Sequence, residues 1–337
     1  MKLSRFAALL ALVALPRSLA RKTNPSLEGG DGPRKGKHIV LVSGDQEYRS
    51  EEALPQLAKI LSKHHGFKCT VLFTVDPKDG TVNPNINNVP GLEALKTADL
   101  LVIFTRFLNL PDDQMQHVVD YVAAGKPVVG LRTATHAFNI PKDRKFAKFS
   151  WSNGEADFKQ GFGKQVLGET WVAPRLARQG GHARYRREGT GEARDPEGNC
   201  GRRNLRDHGR LHGHAPATRR QYAPRVGEVT ETLKPESKAV SGKKNDPMMP
   251  VAWTKTYKGE GDKAGRVFTT TMGASQDLEF EGTRRLIVNG CFWAAGLESK
   301  IPDKANVDLV GTFKPTPFKF RGNADWKPGV TPADLLK

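Results

Sequence analysis

The chain has 337 residues, of which 37% are hydrophobic, and its formal net charge is +17. This length allows a sizeable core, in one large α/β domain or in two modest ones. The three cysteines, Cys69, Cys200 and Cys291, are an odd set without CxxC spacing, so the sequence indicates neither a disulfide framework nor a zinc ribbon. Cys69 and Cys291 lie in apolar patterns, where small core residues are expected.

The first 20 residues have the pattern of a secretory signal peptide. A basic start, an apolar stretch too short to span a bilayer and a cleavage site of small residues follow one another there. An uncleaved anchor is the alternative, although Pro16 and Arg17 interrupt the apolar run early. We expect a secreted or periplasmic protein with residues 21–36 as a coreless leader and no membrane span after signal cleavage.

From residue 37 onward, apolar strand patterns alternate with helical ones. Because crossovers between parallel strands are right-handed, this alternation predicts an α/β domain over residues 37–299, with a parallel sheet and helices on both faces. The first four strands are predicted over 38–43, 68–74, 99–105 and the run after the turn at 125–127, with helices opening at Ser50 and Pro111 and a short one over 91–98.

The C-terminal part of the chain is predicted to add two strands and a helix to the domain and to end in an extended tail. Strands over 250–257 and 266–272 are predicted to pair, and a long helix follows over 279–297. Residues 145–172 are rich in aromatic residues and glycine, which is typical of a pocket wall and equally of a packed connector. The tail over 300–337 is expected to lie extended on the surface.

Three loops carry polar side chains to the carboxyl ends of the predicted parallel strands. They are residues 45–49, residues 106–107 and residues 132–136. Ligands of such sheets bind at this edge, where the strand order reverses. An arginine at a strand end is more often a surface ion pair, and a lone histidine is more often structural. The convergence of three loops nevertheless favours a site.

Several catalytic motifs are absent. The turn after the fourth strand stands where a nucleophile elbow would lie, yet neither Gly-x-Ser-x-Gly nor Gly-x-Cys-x-Gly occurs there. Walker A, dinucleotide-binding and His-Glu-x-x-His motifs are missing too, so no residue is assigned to cofactor binding; the cofactor stays unknown, with a divalent metal left open. We expect His136 to transfer a proton, Glu47 to act as a second acid or base, and Arg106 with Arg132 to hold hydroxyls or a developing oxyanion.

The motifs occur in a specific order. They are Gly-Asp-Gln-Glu-Tyr-Arg at 44–49, Phe-Thr-Arg-Phe at 104–107, Gly-Leu-Arg-Thr-Ala-Thr-His-Ala-Phe at 130–138, Gly-Glu-Thr-Trp at 168–171, Pro-Val-Ala-Trp at 250–253 and Gly-Arg-Val-Phe-Thr-Thr-Thr-Met-Gly at 265–273. In this series the chain resembles the trehalose-utilisation (ThuA-like) family, in particular its secreted members. The resemblance covers roughly residues 37–172 and 227–320.

The resemblance implies a flavodoxin-like, class I glutamine amidotransferase-like fold without glutaminase activity. It also implies a role in trehalose or keto-disaccharide metabolism, with a small carbohydrate as partner, and leaves the reaction type and any divalent metal open. Many members end the late strand with Gly-His, whereas Ala274 follows Gly273 here, so any role of that histidine is missing. We expect the site to contain Asp45, Glu47, Tyr48, Arg106, Arg132, Thr135, His136 and Glu169. A non-catalytic carbohydrate-binding or scaffold module is the alternative.

Residues 173–226 do not match the rest of the chain. They hold 13 of the 25 arginines, none of the 28 lysines and only five acids, and they contain no Ile, Phe, Met or Trp. An arginine-rich nucleic-acid-binding insert would show steeply salt-dependent DNA affinity. A metal cluster could use Cys200, His208, His212 and His214. We favour a third interpretation, a slipped reading frame, and therefore expect no nucleic-acid partner, no packed structure in this segment and doubtful activity.

The nucleotide sequence across codons 170–230 tests this interpretation. Codons for Ala173 to Arg178, read one base on, permit His-His-Gly-Ser-His-Gly, and the same shift over 201–226 permits two strand patterns joined by a turn. We predict that the shifted frame is open over these codons and rejoins the good sequence near Gly227. A stop codon early in that frame would contradict the slip.

Overall fold

The computed structural model describes residues 25–30, 36–171, 182–186, 222–230, 238–242 and 249–337. Two predictions and one alternative interpretation fall wholly or largely outside these described residues. They are the signal peptide over 1–20, the metal cluster of Cys200, His208, His212 and His214, and most of the arginine-rich segment.

The described strands form one sheet of nine. They are β1 (Ser26–Leu27), β2 (His38–Gly44), β3 (Lys68–Phe73), β4 (Leu100–Thr105), β5 (Val128–Leu131), β6 (His182–Arg186), β7 (Tyr222–Thr230), β8 (Met249–Lys258) and β9 (Ala264–Thr270). The described α-helices are α1 (Ser50–His65), α2 (Asp112–Ala123), α3 (Glu281–Ala294) and α4 (Pro332–Leu336), and a 3₁₀ helix at Leu92–Lys96 replaces the short helix predicted over 91–98.

The strand order is β1-β3-β2-β4-β5-β9-β8-β7-β6. Strands β3, β2, β4, β5 and β9 are parallel neighbours, and numbered along the chain they run 2-1-3-4-5. This is the flavodoxin-like order, whose direction of winding reverses between the first and third parallel strands, here β2 and β4. The predicted α/β fold with a flavodoxin-like parallel sheet is confirmed.

Two apolar layers cover the sheet. Helices α1 and α3 pack on one face, where Leu54, Phe268 and Phe292 are buried and where Cys69 and Cys291 lie as the predicted small core residues. Helix α2 and the segment over 134–167 cover the other face. Helices thus flank both faces of the parallel strands, as predicted, and leave the carboxyl ends of the strands free to build a site.

The antiparallel side of the sheet extends further than predicted. Strands β8 and β9 pair as the expected hairpin, and β7 and β6 continue the antiparallel pairing. Strand β6 and the first part of β7 belong to the arginine-rich segment, whose composition indicated no strand period. At the other edge, β1 pairs with β3, so part of the predicted leader belongs to the sheet.

The C-terminal tail is held against the domain along its length. Arg284 Nε of α3 donates to the Val307 carbonyl at 2.6 Å. Farther along, the Thr316 backbone N–H donates to the Glu52 carboxylate of α1 at 2.9 Å. The tail therefore crosses α1 and reaches the carboxyl edge of the sheet.

A buried acid lies in the first turn of α1 beside this edge. Glu51 is only 3% exposed, and the Arg49 guanidinium lies 2.8 Å from its Oε1. Burial raises the pKa of Glu51 to about 8, because its desolvation outweighs the favourable charge of Arg49. The carboxyl group is therefore largely protonated in the folded protein at neutral pH.

This shift predicts a pH dependence of stability. Since the folded-state pKa lies above the ordinary value of 4.5, the folded protein holds this proton more tightly, and the resulting stability is lost as the pH rises through the folded-state pKa. Relative to Glu51→Gln, wild type should lose on the order of 3 kcal/mol of unfolding free energy between about pH 5 and pH 9. Urea unfolding at the two pH values measures it, and equal changes in both proteins would contradict the assignment.

Candidate functional site

The three predicted loops meet where the strand order reverses. The Arg106 backbone N–H, after β4, donates to the Gly44 carbonyl at the end of β2 at 3.0 Å. The Phe107 N–H donates to the His136 carbonyl in the loop after β5 at 2.9 Å. These hydrogen bonds fix the loops relative to one another, so the side chains they carry face a common region.

The backbone of these loops is strained. Arg49, Phe107 and Arg132 have φ angles of 62°, 52° and 51°, in the left-handed region that side chains other than glycine rarely adopt. Such conformations cost free energy and persist where the surrounding structure enforces them, commonly at functional sites. Arg132 follows β5 directly and begins a 3₁₀ helix (Arg132–His136), so a sharp, strained turn like that of a nucleophile elbow is present here and bears an arginine.

A buried carboxylate joins the first and last of these loops. Asp45 Oδ1 accepts hydrogen bonds from the backbone N–H groups of Glu47, at 2.8 Å, and Tyr48. Its Oδ2 accepts from the Thr133 hydroxyl at 2.7 Å. Burial raises the pKa of Asp45, and the three donors oppose that rise. Asp45 thus braces the loops, and its oxygens are occupied by protein groups.

The two arginines lie on aromatic rings. The Arg132 guanidinium sits 4.0 Å from the centre of the Tyr48 ring, and its Nη1 donates to the Thr271 carbonyl at 2.8 Å. The Arg106 guanidinium lies 4.6 Å from the centre of the Phe107 ring, and its Nε is 3.5 Å from Glu47 Oε2. The stacked rings fix the plane of each guanidinium and leave polar edges for a ligand.

The electrostatic environments of Glu47 and Tyr48 are coupled. Burial raises the pKa of Glu47, against the opposing effects of a hydrogen bond with Tyr48 and the charge of Arg106. Burial likewise raises the pKa of Tyr48, while the nearby Arg132 charge opposes the rise. Glu47 is therefore a carboxyl group with increased proton affinity, held beside two cations, which is suitable for general acid or base work.

His136 is buried in a cluster of aromatic rings. It is 6% exposed, and its ring packs against Phe107 and Trp171 at centroid distances of 4.8 and 5.4 Å. Burial, with the charges of Arg106 and Arg132, lowers the pKa of His136 to about 3. The imidazole consequently stays neutral at physiological pH and can donate or accept one hydrogen bond without carrying charge.

The remaining predicted residues lie on either side of His136. The Thr135 hydroxyl is buried and lies 3.3 Å from His136 Nδ1. The half-exposed Glu169 carboxylate pairs with Lys164 Nζ at 3.2 Å. Gly163 connects the two regions, since a Cβ there would stand 1.9 Å from the Thr135 carbonyl oxygen and 2.9 Å from that of Glu169. The backbone of Glu169 is therefore near the elbow, while its side chain pairs outward.

The structure adds a segment of the C-terminal tail to the site, which the sequence analysis did not predict. Lys319 N donates to the Glu47 carbonyl at 3.0 Å, and Arg321 N donates to the Gln46 carbonyl at 3.1 Å. This places Phe318 and Phe320 of the tail beside the predicted residues. The signal in the sequence was the alternation Phe-Lys-Phe-Arg over 318–321, which is typical of an extended segment with one apolar side.

The described residues contain neither a membrane-spanning helix nor a clustered metal site. No helix there has the length and apolar character that a bilayer crossing needs. Within the same residues, no group of three or more His, Cys, Asp and Glu side chains converges in the manner of a metal site. The metal cluster considered as an alternative interpretation of the arginine-rich segment lies outside these residues.

Known proteins are similar to this chain in structure. No family model and no curated protein matches the chain. A protein of Parabacteroides merdae described as ThuA-like is 15% identical, with a TM-score of 0.41, covering 85% of this chain and 98% of its own. A protein of Bacteroides uniformis, likewise described, is 17% identical, with a TM-score of 0.38 and coverages of 79% and 93%. The N-terminal domain of IFT52 is 11% identical, with a TM-score of 0.32 and coverages of 77% and 97%.

The Asp45 brace makes a prediction about stability. Thr133→Val keeps the side-chain shape and removes the hydroxyl that donates to Asp45, leaving a buried carboxylate oxygen unpaired at a cost of about 1–3 kcal/mol. Thr133→Ser keeps the donor and should lose less. Chemical denaturation measures both variants, and equal stability of the valine and serine variants would show that the hydrogen bond does not brace the loops.

Proposed function

We propose that this chain is a ThuA-like protein that acts on a disaccharide, with trehalose or a keto-disaccharide as the substrate class, outside the cytoplasm. The ordered motifs over 44–273 support the family, and the signal-peptide pattern of residues 1–20 supports the location. The site geometry supports chemistry that moves a proton on a hydroxyl-rich ligand.

The observation that carries the proposal is the arginine at the elbow. A serine or cysteine in the strained turn at Arg132 would attack a carbonyl carbon, whereas a guanidinium cannot. Its planar set of N–H donors instead suits adjacent hydroxyls or an oxygen that becomes negative during reaction. Among the described residues, the buried Arg132 Nε has no hydrogen-bond partner, and Arg106 Nε has only the 3.5 Å ion-pair contact with Glu47 Oε2, so each guanidinium keeps donor capacity for a ligand oxygen.

The other groups divide the remaining roles. Glu47 moves the proton, because its pKa is raised and it lies beside the Arg106 cation. His136 acts as a neutral hydrogen-bonding group, oriented by Thr135, since protonation of its buried ring between two arginines is unfavourable. Asp45 positions the loops, and Tyr48 supports Arg132.

Paired variants test these roles. With a keto-disaccharide as substrate, Glu47→Gln should lower turnover by at least about 100-fold, because general acid–base catalysis contributes that much, while calorimetry shows retained binding. His136→Gln, which keeps a neutral hydrogen-bonding group, should retain more activity than His136→Ala.

The outcomes separate an enzyme from a binding module. Disaccharide binding by wild type with no turnover of trehalose or keto-disaccharides would favour the non-catalytic carbohydrate-binding alternative. Absence of both binding and turnover would overturn the proposal. Equal activity of Glu47→Gln and wild type would remove Glu47 from the chemistry.

A further inference from the structure

Two phenylalanines stand exposed beside the candidate site. Phe318 is 43% exposed and Phe320 is 62% exposed. Large apolar side chains usually bury themselves, so an exposed pair in a held position points to a binding surface. The pair lies on the tail, which the proposed function has not yet used.

The backbone holds this pair in place from both ends. The Thr316 hydroxyl donates to Glu52 Oε1 at 2.7 Å. Farther along, the backbone N–H groups of Lys319 and Arg321 donate to the carbonyls of the 46–47 loop. Four groups of the segment thus bind to the loop and to α1, counting the Thr316 backbone N–H. The phenylalanines are presented by a fixed backbone.

The rings continue the aromatic and cationic layers of the site. The Phe318 ring stacks on Tyr48 with centroids 5.4 Å apart and planes inclined by 29°, and Tyr48 carries Arg132 on its ring. The Phe320 ring lies 4.8 Å from the Arg106 guanidinium carbon. Phe318 therefore contacts Tyr48, the ring on which Arg132 lies, and Phe320 contacts Arg106 itself.

The spacing of the pair suits a sugar. In an extended segment, residues two apart lie on the same side and about 6.6 Å from each other. A pyranose ring has apolar C–H faces and hydroxyls at its rim. One face can pack on an aromatic ring, which removes apolar surface from water, while the rim hydroxyls reach neighbouring donors.

We propose that Phe318 and Phe320 form an aromatic platform that binds the C–H faces of a neutral disaccharide and directs its hydroxyls toward Arg106 and Glu47. This inference rests on the proposed function, and it gives the two phenylalanines the role of positioning the substrate. A platform of two rings favours two linked sugar rings over one, so it contributes to the selection of disaccharides over monosaccharides.

The test compares Phe320→Ala and Phe318→Ala with Phe280→Ala in the full chain. Phe280 is also 62% exposed but lies at the start of α3, outside the segment, which makes it a matched control. Calorimetric titration with trehalose and a keto-disaccharide should show about 5- to 10-fold weaker binding for each platform variant, which corresponds to about 1.0–1.4 kcal/mol. Phe280→Ala should bind like wild type, and Phe320→Tyr, which keeps the ring, should retain affinity.

A second measurement does not depend on removing a ring. Phe320→Trp places an indole at the exposed position, and its emission, taken as the difference from wild type, should change on adding disaccharide and much less on adding glucose. Normal disaccharide binding by both alanine variants would overturn the platform and leave the proposed function standing. Failure of wild type and every variant to bind any disaccharide would overturn both.

Discussion

The buried carboxylate of Asp45 is the constraint on which the site depends. It accepts two backbone N–H groups from the loop after β2 and the Thr133 hydroxyl from the loop after β5. These loops lie on opposite sides of β4 in the sheet. One side chain therefore closes the carboxyl edge across the point where the strand order reverses, and it sets Glu47 and Arg132 on the same side of that edge.

Charge at this edge is arranged around two arginines. Arg106 and Arg132 lower the pKa of His136, in addition to the effect of its burial, and they oppose the rise in the pKa of Glu47. His136 is consequently neutral. Glu47, whose pKa is raised, is the better suited of the two groups to exchange a proton near neutral pH. A site with two fixed cations and one acid suits a ligand whose oxygens gain negative charge.

Much of this arrangement was predictable from local pattern. Apolar runs ending in polar loops predicted the parallel strands, and the carboxyl edge of such a sheet predicted the meeting of residues 45–49, 106–107 and 132–136. The state of each group was not predictable. The low pKa of His136 depends on its burial among Phe107 and Trp171, which no sequence spacing encodes.

Contacts that the sequence pattern did not reveal, one local and the others long-range, account for the remaining differences. Glu169 was expected in the site, yet its carboxylate pairs with Lys164 five residues away. Phe318 and Phe320 are held at the site by a tail whose anchors, including Arg284 and Thr316, contact residues far away in sequence. Composition indicated an extended tail but gave no information about its path. Tertiary packing thus decides which polar and aromatic side chains join the three loops.

The most direct test of the central claim is a crystal structure of the Glu47→Gln variant soaked with a keto-disaccharide. The proposed function predicts a sugar at the carboxyl edge between β2 and β4, with hydroxyl or keto oxygens within hydrogen-bond distance of Arg106 and Arg132. A disaccharide bound at another part of the molecule, with both arginines left as they are in the free protein, would contradict it.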